Sequence, residues 1–169
     1  MDKLLNYLAN KIISFIKIIQ RRASKHRMSL YPYIDKGVIL GPEVKLIGPR
    51  ESFLIKQGTY INEAILAAGK YSKIKIGKQC AIGYRVSIKA LTHDREKPYP
   101  SVLGDIKTLE KDIIIGDLCW IGDNVFIKEG VKIGNNVTIG ANSVVTKSFS
   151  DNLVIAGVPA KVISNKSKN

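Results

Sequence analysis

Aliphatic residues recur at every sixth position over the second half of the chain. Nine positions from Ile76 onward keep this register: Ile76, Ile82, Ile88, Ile115, Ile121, Ile127, Ile133, Ile139 and Val145. Glycine directly follows six of these nine, although glycine makes up only about 7% of ordinary sequences, so the pattern is not a chance one. A six-residue period fits neither the 3.6-residue period of an α-helix nor the strict alternation of a β-strand.

This period predicts a parallel β-helix. The fourth residue after each aliphatic is usually small or β-branched. A short strand, a turn that needs a permissive backbone at Gly or Asn, and another short strand would form one face of a triangular coil, so that three hexapeptides complete a coil. We expect the aliphatic residue to fill the interior near a corner and the small residue to pack beside it. Several coils must stack to bury such a core.

Two segments interrupt the period. The interval from Ile88 to Ile115 is not a multiple of six, and the segment between them contains Pro98, Pro100 and many charges. We expect residues 91–112 to form a loop outside the β-helix, where functional residues are often placed. Upstream, residues 34–69 keep the spacing only in part and are expected to hold the first, irregular coils.

The N-terminal segment follows a different pattern. Apolar residues step by three and four through Leu5, Leu8, Ile12, Phe15 and Ile19, which predicts an amphipathic helix. Lysines interrupt the apolar stripe, so a membrane span of about 20 apolar residues is not expected. The helix should pack on the end of the β-helix or on a neighbouring subunit, or it should contact a membrane surface through residues 1–27, where a basic run ends the segment.

Length and charge limit the alternatives. The 169 residues suit a single β-helix domain over residues 31–165, preceded by the helical and basic segment 1–30 and followed by a disordered tail over residues 166–169. The net charge of +13 favours anionic partners such as nucleic acid, an acidic membrane or a phosphorylated cofactor. Nucleic acid is not expected, because the basic residues are not gathered into a recognition motif. No export signal is evident, so the expected compartment is the cytoplasm.

Four further motifs accompany the repeats: Leu91-Thr92-His93-Asp94, Cys119-Trp120-Ile121-Gly122-Asp123, Val145-Thr146-Lys147 and Ala156-Gly157-Val158-Pro159-Ala160-Lys161-Val162. Together they resemble the hexapeptide-repeat acetyltransferases, in particular the branch of maltose, galactoside and bacterial surface-polysaccharide O-acetyltransferases, over about residues 55 to 165. The resemblance implies a left-handed β-helix, an exception to the usual right-handed crossover. It also implies a homotrimer with active sites between neighbouring subunits, acetyl-coenzyme A as co-substrate and no metal. Trp120 is expected at the subunit boundary.

His93 is the candidate catalytic base. A sugar hydroxyl is a poor nucleophile until its proton begins to leave, and a histidine can accept a proton near neutral pH. In the family the matching histidine is the base, and the resemblance implies direct attack of the hydroxyl on the thioester. Asp94 is expected to face solvent, because adjacent strand residues point to opposite faces. A covalent role for Cys80 or Cys119 is not expected, since both occupy interior positions where a thiol is not activated.

By motif position, the resemblance implies a coenzyme A site at Asp123, Ala141, Thr146, Lys147 and Lys161. The first three residues would contact the pantetheine arm through backbone groups, and the two lysines would approach the phosphates. The family often has arginine where Lys161 stands. Each lysine could instead only keep an edge strand soluble.

The predicted function is transfer of acetyl from acetyl-coenzyme A to a sugar hydroxyl, in the biosynthesis of a bacterial surface glycan (O-antigen, capsule or exopolysaccharide). Asn62 is the candidate residue for binding the saccharide, which could be lipid-linked, with the protein in the cytoplasm or on the inner face of the membrane. An enzyme that acetylates an amino sugar or an antibiotic is an open alternative, and so is a non-catalytic trimeric scaffold. A metal enzyme of the carbonic anhydrase type is weak, because it needs several histidines and the loop offers only His93.

Overall fold

The computed structural model describes residues 2–94 and 108–166. Its helix α1 spans Asp2–Ser29, and a single 3-10 turn spans Arg50–Ser52. The strands are β1 (Ile39–Leu40), β2 (Lys45–Ile47), β3 (Phe53–Ile55), β4 (Tyr60–Ile61), β5 (Ala64–Ala67), β6 (Ile74–Ile76), β7 (Ala81–Ile82), β8 (Val86–Lys89), β9 (Leu91–His93), β10 (Thr108–Glu110), β11 (Ile113–Ile115), β12 (Trp120–Ile121), β13 (Phe126–Ile127), β14 (Lys132–Ile133), β15 (Thr138–Ile139), β16 (Val144–Val145), β17 (Leu153–Gly157) and β18 (Ala160–Asn165).

Parallel strands stack into three sheets, which are the faces of a triangular coil. Sheet 1 contains β1, β4, β7, β12, β15 and β17, with β18 added antiparallel at its edge. Sheet 2 contains β2, β5, β8, β13 and β16, and sheet 3 contains β3, β6, β11 and β14. The chain visits the sheets in this order, turning at a first corner between sheets 1 and 2, a second between sheets 2 and 3, and a third between sheets 3 and 1. The predicted parallel β-helix is confirmed.

The regular coils follow the predicted hexapeptides. Ile121 pairs with Ile139, the third register position after it, so three hexapeptides make one coil. All nine aliphatic residues of the register are buried, and so are the seven small or β-branched residues that lie four places after a register position within the coils: Cys80, Val86, Cys119, Val125, Val131, Val137 and Ser143. Upstream the coils are longer, since Ile61 pairs with Ile82, which lies more than three hexapeptides away. Insertions at the corners therefore account for the looser period there.

Asparagine and glycine meet different structural requirements at the corners. Asn124 and Asn142 have φ angles of +57° and +60°, a left-handed conformation that asparagine tolerates better than most residues. Their side chains stack, with Asn124 Nδ2 donating to Asn142 Oδ1 at 3.0 Å. Gly122 instead lies where adjacent coils approach closely, because a Cβ there would be 2.7 Å from the backbone N of Ala141. The repeated glycine is thus needed for space, and asparagine supplies the permissive backbone.

The predicted loop begins and ends as a β-hairpin. Strands β9 and β10 pair antiparallel, from Leu91 with Glu110 to His93 with Thr108. This hairpin, called the excursion hairpin below, leaves the second corner, and the coil resumes in register, with Ile76 paired to Ile115. The chain between these two partners is much longer than one regular coil, and the excess is the excursion. Residues 95–107 of the predicted loop and 167–169 of the predicted tail lie outside the described residues.

Helix α1 includes both the predicted apolar stripe and the basic run that follows it. The stripe residues Leu5, Leu8, Ile12, Phe15 and Ile19 are exposed. The expectation that the stripe packs on the end of this chain's own β-helix is therefore wrong. The buried core lies C-terminal to the helix, and Tyr31 and Ile34 pack against this core.

Candidate active site

His93 lies at the end of strand β9 in the excursion hairpin. The strand leaves the β-helix through Ala90, which is fully buried and donates its N–H to the carbonyl of Ala67 at 2.8 Å. His93 follows this fixed point by three residues, and its side chain is exposed. The imidazole is therefore presented to solvent from a backbone that the core holds in place. Asp94, the next residue, is half-buried and keeps part of its surface in solvent.

The return strand of the hairpin is fastened to the coil beside it. The Glu110 carboxylate accepts a hydrogen bond from the backbone N–H of Tyr71 at 2.6 Å. Gly69 leaves the space that this carboxylate occupies, because a Cβ on Gly69 would overlap it. Lys111 donates its N–H to the carbonyl of Ala90 at 2.9 Å, which closes the base of the hairpin.

Asp112 completes the anchor as the chain rejoins sheet 3. Its carboxylate accepts the backbone N–H of Lys73 at 2.8 Å and the Nζ of Lys75 at 3.0 Å. Burial opposes ionisation of this group, but the hydrogen bonds from Lys75 and Lys73 outweigh it, so the pKa of Asp112 is lowered from its usual value. The carboxylate thus stays charged and holds two neighbouring coils together.

Four of the predicted site residues line the first corner. Because the coils stack, residues at one corner form a column along the β-helix. Asn62 is the first of the four along the chain, and it donates its N–H to the carbonyl of Ile82 at 3.0 Å. Asp123 and Ala141 occupy the same corner in later coils. Lys161 lies opposite Ala156 at the last turn of the column, and its side chain is exposed.

Asp123 takes part in the turn itself. Its Oδ1 accepts the backbone N–H of Tyr84 at 2.8 Å, and its carbonyl accepts the N–H of Asn142 at 2.8 Å. The Asp123 carboxylate therefore already has a structural task in joining adjacent coils. Ala141, by contrast, presents an exposed, uncharged surface at the same corner.

The other predicted residues lie at the second corner. Thr146 and Lys147 follow sheet 2 and are exposed, and Lys147 Nζ is 5.7 Å from the ring centroid of Phe149. The excursion hairpin with His93 leaves the same corner two coils earlier, and adjacent coils are about 4.8 Å apart. Sheet 2 separates the two corners by the stretch from Asn62 to Ala68, or roughly 20 Å. One chain alone therefore forms two half-sites and does not bring His93 beside Asn62.

A pocket of about 230 Å³ lies on the outer face of sheet 2, next to the first corner. It adjoins Asn62 through Glu63, and both acidic and basic side chains line it. Its lining residues are Glu43, Lys45, Glu63, Ala64, Ile65, Arg85, Val86 and Ser87. Sequence reasoning missed Glu43 and Lys45, because they belong to the irregular first coil, where no period marks which residues face outward.

The two cysteines are core residues of adjacent coils. Both are buried, and each thiol is within hydrogen-bond distance of a carbonyl, Cys80 Sγ at 3.1 Å from Gly116 O and Cys119 Sγ at 3.1 Å from Gly134 O. The hydrogen bond with Cys80, together with burial, raises the pKa of the Cys119 thiol. Cys119 is therefore a poor nucleophile, and the core shields Cys80 completely from solvent.

Metal ligands are not grouped in the part of the chain that the structure describes. Within residues 2–94 and 108–166, no three His, Cys, Asp or Glu side chains come together in a way that could hold an ion.

Residues 112–147 match the family model described as bacterial transferase hexapeptide (six repeats). A protein of Escherichia coli (strain K12), named provisionally as the lipopolysaccharide biosynthesis O-acetyl transferase WbbJ, is 41% identical over 96 residues, which cover 53% of this chain and 49% of the relative. The solved structure of the polysialic acid O-acetyltransferase OatWY is 33% identical, with a TM-score of 0.62, and the match covers 76% of this chain and 61% of that one.

A galactoside acetyltransferase solved in complex with coenzyme A is 25% identical, with a TM-score of 0.63, and the match covers 88% of this chain and 81% of that one. The chain has the left-handed β-helix of these proteins, as the resemblance to the family implied. It spans about half the length of the curated relative that it matches.

Proposed function

We propose that this chain, which contains a hexapeptide-repeat transferase domain, moves an acetyl group from acetyl-coenzyme A to a hydroxyl of a saccharide, with His93 as general base. The observation that carries the proposal is the placement of His93, which is exposed on a hairpin fixed to a rigid corner. One relative is named for lipopolysaccharide biosynthesis and another as a polysialic acid O-acetyltransferase, and both names support a saccharide acceptor.

In this mechanism a ring nitrogen of His93 accepts the proton of the acceptor hydroxyl as the oxygen attacks the thioester carbonyl. The carbon–oxygen bond forms, the carbon–sulfur bond breaks, and the proton held by His93 passes to the leaving thiolate. The products are an acetyl ester and free coenzyme A. A positioned general base contributes about 10²- to 10⁴-fold to such a reaction.

The residues at both corners suit coenzyme A. Lys147 and Lys161 are exposed cations for its phosphates, and Ala141 and Thr146 offer uncharged surface for the pantetheine arm. Asp123 would act through its backbone, since its carboxylate already serves the turn.

A homotrimer would join the two half-sites, with the second corner of one subunit facing the first corner of the next. The outer row of sheet 1 supports such packing, because it contains no charged residue although 24% of the chain is charged. Its in-register members are Ile39, Tyr60, Ala81, Trp120, Thr138 and Val154. Ile39 and Trp120 are among the most exposed apolar side chains of the β-helix, and a partner subunit would cover them.

The role in bacterial surface glycan biosynthesis, on the cytoplasmic side, is part of the proposal. The identity of the acceptor is tested with a panel of candidate compounds. The panel should contain free saccharides, lipid-linked saccharides, amino sugars and aminoglycosides, because the last two would reveal acetylation of an amino sugar or an antibiotic.

The experiment measures release of the free coenzyme A thiol from acetyl-coenzyme A with each acceptor. His93→Ala is compared with His26→Ala, which removes the other histidine of the chain from an exposed position on α1. We expect acceptor-dependent release that falls by about 10²-fold or more in His93→Ala and is unchanged in His26→Ala. Full activity of His93→Ala would exclude His93 as the base. Failure of the native protein to bind coenzyme A would instead favour a scaffold.

A further inference from the structure

Helix α1 exposes a continuous apolar stripe that the described remainder of the chain, residues 30–94 and 108–166, does not cover. The helix has 28 residues and is therefore about 42 Å long. Leu5, Leu8, Ile12, Phe15 and Ile19 are each between 50% and 63% exposed. Large apolar side chains that form one exposed patch usually mark an interaction surface.

The opposite side of the helix is polar. At 100° per residue, Lys3, Asn6, Asn10, Ser14 and Lys17 fall on the side away from the stripe. All five side chains are exposed. The helix therefore has one apolar and one polar side along the same length, which suits a boundary between an apolar phase and water.

The charge of the helix is strongly positive. Residues 2–29 contain seven Lys and Arg against one acidic residue, Asp2, which is a net charge of +6 out of +13 for the whole chain. Four of the seven basic residues follow the apolar stripe within residues 21–27. A partner for this segment should thus be anionic as well as apolar.

The composition of α1 does not suit a membrane-spanning helix. Among the described residues, no helix is both long enough and apolar enough to span a bilayer. Amphipathic helices with a basic polar side and Leu or Phe on the other side lie in the plane of the interface instead. Their binding increases with buried apolar area and with attraction to anionic lipid headgroups.

We propose that α1 binds in the plane of an anionic lipid bilayer, with the stripe from Leu5 to Ile19 inserted between the headgroups and the positive charge of the segment attracted to them. Pairing of α1 with the α1 of another copy would also cover the stripe. It would, however, bring two segments of charge +6 together, and like charges repel. A bilayer with anionic lipid meets both the apolar and the electrostatic requirement. This inference does not depend on the proposed acetyl transfer.

The test is sedimentation of the full-length protein with vesicles of phosphatidylcholine alone and of phosphatidylcholine mixed with phosphatidylglycerol, at low and high salt. Two variants differ only in the side of α1 that they change. Ile12→Glu places a carboxylate in the stripe, and Asn10→Glu places the same carboxylate on the polar side. Both side chains are exposed, so neither substitution should disturb the β-helix core. Thermal unfolding followed by circular dichroism checks this point.

We expect binding to the anionic vesicles that weakens at high salt, because salt screens the attraction. Ile12→Glu should weaken binding by about tenfold or more, since it removes a large apolar contact and adds charge to an apolar phase. Asn10→Glu should weaken binding by no more than about fivefold, because it adds one negative charge near the headgroups and removes no apolar contact. Equal loss in both variants would overturn the inserted stripe, and equal binding to both kinds of vesicle would overturn the anionic preference. Absence of vesicle binding, with a particle mass that falls in Ile12→Glu, would establish helix pairing instead.

Discussion

The carboxylate of Glu110 accepts a hydrogen bond from the backbone N–H of Tyr71 at 2.6 Å, across 39 positions of sequence. This contact ties the return strand of the excursion hairpin to the coil beside it. Since His93 pairs with Thr108 on the same hairpin, two residues before Glu110, the contact fixes the strand that faces the proposed base.

Replacing Glu110 with alanine should therefore lower kcat by about tenfold with little change in the melting temperature, because misplacement of a catalytic group is costly while the core is unchanged. Glu110→Gln should keep most of the activity, since its amide oxygen can still accept the N–H of Tyr71. Steady-state kinetics and thermal unfolding of both variants check this. Equal kcat in native protein and Glu110→Ala would rule out a positioning role.

Lys147 and Lys161 should act on affinity for acetyl-coenzyme A and not on chemistry. Lys147→Ala and Lys161→Ala should each raise the KM for acetyl-coenzyme A by about threefold and leave kcat unchanged, because exposed charge pairs contribute modestly. The effect should shrink at high salt. Lys70→Ala, an exposed lysine that packs over Tyr71, serves as the matched control. If all three variants have the same KM, the two lysines only provide surface charge.

Trp120 should be necessary for subunit association. Trp120→Glu places an unpaired carboxylate in the uncharged outer row of sheet 1, where a partner subunit would bury it. Light scattering should give three times the subunit mass of 18.7 kDa for the native protein and the single subunit mass for the variant. Lys132→Glu places the same group on sheet 3, which already carries charge on its outer face, and should remain trimeric. A trimeric Trp120→Glu would place the interface elsewhere.

Asp112 should make stability depend on pH in the acid range. Its pKa is lowered in the folded protein, so its contribution is complete above the unfolded value of about 3.9 and disappears as the pH falls through the lower folded value. The melting temperature of the native protein should therefore decline more steeply on acidification than that of Asp112→Asn. Parallel curves for the two proteins would show that the carboxylate and Lys75 contribute little to this pH dependence.

The repeating half of the fold could be predicted because its interior positions are strictly spaced. Ile121 and Ile139 are three hexapeptides apart in sequence and stack in adjacent coils, so sequence spacing translates directly into contact. Upstream, a coil can lengthen at any corner, and Ile61 pairs with Ile82 across a longer stretch of chain. Such insertions change no interior residue, and the sequence therefore does not mark where they occur.

The site was less predictable than the core. Sequence motifs identify His93 and Asn62 as candidates, but only the structure places them at different corners of adjacent coils. Likewise, the amphipathic pattern of α1 is compatible with packing on the β-helix or with an external partner, because both cover an apolar stripe. Exposure of Phe15 and its neighbours decides against packing on the β-helix of the same chain, as far as the structure describes it.

After the excursion the chain returns in register, with Ile115 paired to Ile76. Substitutions in the excursion hairpin and substitutions in the core therefore have separate consequences. The coils before and after the excursion pair with each other directly, so the stacking of the core at this point does not pass through the excursion hairpin. A substitution in β9 or β10 therefore acts on the proposed site, whereas one at Ile76 or Ile115 acts on the buried core.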